Sequence, residues 1–156
     1  MAMTSGEREA VGTVARAAYP IILDMFQIYT SRGNVPPRFG LGVYDATSGG
    51  PEFAQSGAVD ERVIAEFKIG EADWGERDYL ATARRKVAVA LRVGKNTGDV
   101  ARTAPELFQE GEMRAPGAVL GEVNGHAIAV AGSGLRGPED EALAVLLLHL
   151  MMRMTA

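Results

Sequence analysis

The sequence holds no cysteine, two histidines and one tryptophan in 156 residues. Without cysteine it can form no disulfide, no thiolate metal site and no cysteine nucleophile, and since reduced proteins do without disulfides anyway, the absence does not fix a compartment. His126 and His149 are the only imidazoles, and neither belongs to an H-x-x-x-H or H-E-x-x-H pair, so no zinc hydrolase centre, and no other metal site, is expected. An excess of basic charge is missing too. The formal charge of −4 argues against nucleic-acid binding, which rests on clustered Lys and Arg. Long apolar runs are lacking: Ala142 to Leu148 is the longest, far short of a membrane span. The opening MAMTSGEREAVG has no basic segment leading into an apolar core, which predicts a cytoplasmic protein. What remains, 47% apolar and 23% charged residues, suits one globular domain over 1–156 that takes small molecules or proteins as partners.

The chain alternates helical and strand-like patterns. Thr4 with Glu7 has the spacing of a capping box, and Val11, Val14, Ala18, Ile22, Met25 and Tyr29 recur at helical intervals to about Ser31. Pro20 lies inside that pattern and predicts a kink, or two shorter helices. Phe39, Leu41 and Val43 alternate with Gly40, Gly42 and Tyr44, giving a strand with one glycine-lined face. After the turn DATSGGP, Glu52 to Ser56 is expected to return as a second strand, and Val63 to Ile69 reads as a third, with a helix from Asp60 the alternative. Glu76 to Val93 is helical, with Leu80, Ala83, Val87, Ala90 and Leu91 on one face and Val89 and Val93 on another. Gly94 closes it, and Thr97 to Ala101 begins a short helical turn. Asn124-Gly125 between apolar runs is a type I′ hairpin signal. Beyond it Gly132 to Gly137 fits G-x-G-x-x-G, but no parallel strand follows the helix, and Glu139 and Asp140 would repel a pyrophosphate, so no dinucleotide fold is expected. The last helix, about Pro138 to Met154, is again apolar on two sides. Two such helices in a small domain predict a homo-oligomer.

Leu80 to Thr97, LATARRKVAVALRVGKNT, resembles the lysine-containing helix and following Thr of the GlcG/HbpS-like family, often labelled the haem-degrading domain family. Gly121 to Ala144 resembles that family's closing hairpin, small-residue strand and acidic helix, and Gly42-Val43-Tyr44-Asp45 with Gly49-Gly50 resembles its first hairpin. The resemblance implies an α/β fold, a profilin-like α/β/α sandwich with an antiparallel sheet of about five strands flanked by helices, assembled into dimers or rings. It also implies a small-molecule ligand, haem or a related tetrapyrrole among the candidates, or an accessory or scaffold role in small-acid metabolism. The family's paired glycines before the penultimate strand stand here only as Pro116-Gly117.

On that basis Lys86, at the family-like lysine position, is the first candidate for a carboxylate contact. Arg84 borders the same helix face, and Asn96-Thr97 adds an amide and a hydroxyl beyond the helix. His126, on the strand face of Ile128 and Val130, is the candidate axial ligand for haem. Should the protein be an enzyme on a small carboxylic acid, Lys86 or Arg84 would anchor the anion and Asp45 or His126 would move a proton. Each also has a structural reading: a solvated or salt-bridged Arg84, an Asx turn at Asp45, a helix cap at Asn96 and a hairpin-tip His126.

Overall fold

A computed structural model describes residues 2–156, Ser56 by its backbone alone. Helix α1, Ser5–Gly33, starts at Thr4, whose hydroxyl oxygen accepts the Glu7 N–H at 3.2 Å, and ends at Asn34 in the left-handed region, φ 52°. Pro20 lies within this helix, which continues as one element rather than dividing in two. Pro20 is exposed, so its ring meets solvent, and the missing N–H costs one backbone bond that the buried face of Val11, Ala15, Ala18, Ile22 and Phe26 outweighs.

Four strands follow: β1 (Phe39–Asp45), β2 (Val63–Ile69), β3 (Ala118–Val123) and β4 (His126–Ser133). They form one antiparallel sheet in the order β2-β1-β4-β3. The sheet has one strand fewer than expected. Pro51–Ala54 is a 3₁₀ turn, not a strand, because Pro51 offers no N–H to a ladder and Phe53 is buried against the helix that covers the sheet. The β3–β4 hairpin turns through Asn124 (φ 53°) and Gly125 (φ 81°), the paired positive φ values of a type I′ turn.

Helices α1 and α4 (Gly137–Met154) cover one face of the sheet over Phe39, Leu41, Val43, Ile128 and Val130. Helix α2 (Tyr79–Val93) covers the other with the turns at Pro51–Ala54 and Ser56–Arg62, over Tyr44, Ala118, Ala129 and Ala131. The result is a three-layer α/β/α sandwich. The glycine-lined face of β1 meets α2: a Cβ on Gly40 would lie 3.1 Å from Tyr79, and Gly42 leaves the room in which the Tyr44 ring lies.

The second apolar side of α2 is not an open surface. Val89 and Val93 pack with Val100 of α3 (Thr97–Thr103) and with Phe108. Arg92 straps the covering loop down, donating to both carboxylate oxygens of Glu112 at 2.6 Å and to the Leu107 carbonyl at 2.7 Å. The chain therefore covers this helix itself, which corrects the expectation that α2 faces a second subunit.

Candidate functional site

Arg84, Arg85 and Lys86 follow one another on α2, and successive helical positions turn by about 100°. Each cation is therefore sent to a different place. Arg85 donates to the Gly111 carbonyl at 3.2 Å on the covering loop. Lys86 points inward and is 2% exposed, with Nζ donating to the Gly132 carbonyl at 2.8 Å and to Asp140 Oδ2 at 2.9 Å. Gly132 lies on β4 and Asp140 on α4, so this lysine passes the end of the sheet and joins the two helical layers. A Cβ on Gly117 would fall 2.7 Å from Nζ, so the single glycine of Pro116-Gly117 keeps that passage open. The other Asp140 oxygen accepts the Leu135 N–H at 2.9 Å. Burial raises the Asp140 carboxyl above its ordinary pKa, with Lys86 and the Leu135 N–H pulling it back only in part. Lys86, the first candidate for a ligand contact, is committed to a buried ion pair.

Asn96 and Thr97 serve the sheet as well. The Thr97 hydroxyl accepts the Ala118 N–H at 3.0 Å, and Asn96 Oδ1 accepts the Leu120 N–H at 2.9 Å. These N–H groups lie on the outer edge of β3, so the pair closes a strand edge instead of capping α3 with the Asn96 side chain. His126 faces α1, its Nδ1 3.2 Å from Glu7 Oε2, on the opposite side of the sheet from α2. His149 is exposed on α4. Asp45 is wholly buried. It accepts N–H bonds from Met3 at 2.8 Å and Thr47 at 2.9 Å, with Arg8 and Arg62 at 3.5 and 3.8 Å. Burial works to raise its pKa, but the Thr47 and Met3 hydrogen bonds and Arg62 outweigh it and hold it below the usual carboxylate value.

Arg84 alone of the sequence candidates lines one of the larger clefts, a space of about 480 Å³ between α2, β2 and the 57–60 turn. Its Nε donates to Glu66 Oε2 at 2.9 Å, Nη2 donates to Glu66 Oε1, and Nη1 donates to Asp60 at 3.0 Å. Tyr44, wholly buried, donates its hydroxyl to Glu66 Oε2 at 2.9 Å. Burial first, and then the Glu66 charge and hydrogen bond, push the Tyr44 hydroxyl well above its usual pKa, so it stays a donor. The Glu66 hydrogen bond likewise raises Arg84 and keeps it cationic. Lys68, Asp78 and Arg85 complete the charged wall, and Leu80 and Ala81 supply an apolar floor.

Sequence reasoning missed Glu66, Asp60 and Tyr44. A signal for Glu66 was present: it pairs across the ladder with Gly42, so a carboxylate stands on the sheet face where β1 has no side chain. Only the register reveals that opposition.

No family model matches the chain, and no curated protein matches it significantly. Solved structures do. A double mutant of Streptomyces reticuli HbpS superposes with a TM-score of 0.59 at 18% identity, over 97% of this chain and 88% of that one. Klebsiella pneumoniae ORFY, a DUF336 protein, gives 0.56 at 15% identity over 97% and 91%. The Ybr137w protein gives 0.51 at 13% identity over 95% and 88%. The resemblance read from the sequence is thus met at the level of the fold.

Proposed function

We propose that this chain is a single-domain, small-molecule-binding protein whose ligand occupies the Arg84 cleft. One observation carries the reading: a cleft of about 480 Å³, within the range of small-ligand sites, is walled by three cations and three carboxylates around a Glu66–Arg84 pair that Tyr44 holds from beneath. Such a wall presents donors and acceptors of both signs. It suits a small polar molecule carrying both kinds of group, such as an amino or hydroxy acid. Lys86, Thr97 and Asn96 then support the site's scaffold rather than touch the ligand.

Haem, the tetrapyrrole the family resemblance implies, needs a flat apolar slot and an axial ligand. The Arg84 cleft is charged and has no histidine in its wall, and His126 lies on the other side of the sheet. The Arg84 cleft therefore does not fit haem.

Calorimetric titration with a panel of amino and hydroxy acids should give a ligand whose binding is lost in Arg84→Met. A hemin titration should stay flat; a Soret shift that disappears in His126→Ala would sink the polar-ligand reading in favour of the tetrapyrrole.

A homo-oligomer belongs to the same proposal. Ile21, Met25 and Ile28 stand 44, 47 and 56% exposed at helical spacing on α1, and Val145 and Met152 are exposed on α4. Light scattering should show an oligomer that Ile28→Lys dissociates, and a wild type that stays monomeric at every concentration defeats this part.

A further inference from the structure

The chain treats the two outer edges of its sheet differently. Hydrogen bonding alternates along a strand, and the Ala46 N–H, donating to the Ala127 carbonyl at 3.0 Å, places the even positions of β1 toward β4. The odd positions therefore bond to β2. Through the pairs Phe39 with Ile69 and Leu41 with Phe67, the backbone of Phe67 and Ile69 faces inward, and that of Glu66 and Lys68 faces out. On β3 the same alternation turns Ala118 and Leu120 outward, where Thr97 and Asn96 accept both N–H groups. The Glu66 and Lys68 N–H groups have no such cap among the described residues. An uncapped edge is a template for another strand.

The side chains say which strand fits. Glu66-Phe67-Lys68 is self-complementary: laid antiparallel about a two-fold axis at Phe67, two copies bring each Glu66 opposite the other's Lys68. An axis at Glu66 or at Lys68 would instead set like charges against each other. The outward backbone agrees with the Phe67 register, because Glu66 and Lys68 then exchange N–H and carbonyl bonds across the axis while Phe67 meets Phe67 in the closer, non-hydrogen-bonded pair. Phe67 is half-buried and already ordered, stacked on Tyr19 of α1 with ring centroids 4.2 Å apart. Glu66 retains an acceptor position, since a carboxylate offers about four and Arg84 and Tyr44 take three. Lys68 gives up only an exposed contact with Glu71, of the kind that contributes little.

We propose that β2 is the edge at which a second copy of this chain adds, antiparallel and in register about Phe67, joining the two sheets into one. Glu66 and Lys68 both line the Arg84 cleft, so each cleft then carries Lys68 of the second copy at its wall. The contact is separate from the apolar stripe on α1, and it does not depend on the cleft binding anything. Substituting Ile28 by lysine reduces any larger assembly to this dimer and no further.

The chain has no cysteine, so a single introduced thiol reports on the register. Full-length Phe67→Cys, mildly oxidised, should cross-link to a dimer, because Cα atoms of a non-hydrogen-bonded pair lie about 4.5 Å apart, within disulfide reach. Lys95→Cys, exposed just past α2, should stay uncross-linked under the same conditions. If Phe67→Cys fails to fold for want of its Tyr19 contact, sedimentation equilibrium decides. Ile28→Lys should sediment as a dimer, and adding Lys68→Glu should weaken that dimer about tenfold or more, since carboxylates then stand opposite each other at two symmetric positions. A wild-type dimer that Ile28→Lys leaves whole and Lys68→Glu dissociates supports the β2 contact and removes the α1 one. A monomeric Ile28→Lys, a dimer indifferent to Lys68→Glu, or a folded Phe67→Cys that cross-links no better than Lys95→Cys would overturn the β2 contact.

Discussion

Arg84 and Lys86 are two residues apart on one helix, and each holds a carboxylate, yet they belong to different kinds of place. The Lys86–Asp140 pair is sealed, 2% and 4% exposed, with three layers of the fold meeting around it. The Arg84–Glu66 pair is 31% and 13% exposed and forms the wall of a cleft. The same chemistry thus does two jobs, and access to solvent decides which. A sealed ion pair has already spent its donors and is a constraint on the fold. An open one keeps a face for something else.

The widest gap between the two should appear in Lys86→Met, which leaves Asp140 buried without its cation. Removing one partner of a buried pair costs about 3–5 kcal/mol, whereas replacing both by apolar side chains is often close to neutral. Urea unfolding should therefore show a large loss for Lys86→Met and a substantial recovery in Lys86→Met/Asp140→Leu. The loss should shrink in acid. A carboxyl whose folded pKa is raised holds its proton more tightly in the folded state, so its contribution improves as pH falls through that raised value, and a neutral Asp140 tolerates burial without Lys86. A pH-independent loss, or one below about 1 kcal/mol, would show that the pair is not the clamp its geometry indicates.

Thr97→Val comes next. The substitution keeps the shape but removes the oxygen that accepts the Ala118 N–H, leaving a buried donor on the β3 edge unmet. That costs about 1–3 kcal/mol. An unchanged unfolding midpoint would mean that the edge finds another acceptor, and Thr97 would return to the list of residues free to meet a ligand.

How far the sequence reached follows from the range of each interaction. Thr4 with Glu7, Asn124-Gly125, and the stripes of α2 and α4 depend on neighbours within a turn or two, and the structure has them where the patterns put them. Glu52 to Ser56 failed because its fate is set by Phe53 burying against α2, not by its own alternation. The second face of α2 was misread because a helix apolar on two sides looks the same whether a partner or its own loop covers it. Nothing local ties Arg92 to Glu112. The candidate site was less legible still. Lys86 stood out by its family-like position, but its partner Asp140 lies beyond β3 and β4 and read only as a charge that would repel a pyrophosphate.

Arg84→Met should produce the smallest change in stability and the most informative one. Its pair is partly open to water, where such contacts contribute about 1 kcal/mol or less, and Tyr44 still donates to the Glu66 carboxylate after the arginine is gone. The midpoint in urea should move little, while any ligand of the cleft is lost. If Arg84→Met instead destabilises the protein as much as Lys86→Met does, the Glu66–Arg84–Asp60 network is a second clamp, and the distinction between sealed and open pairs on α2 fails. With little loss of stability and full loss of binding, the two neighbouring cations would be separated by function as well as by exposure.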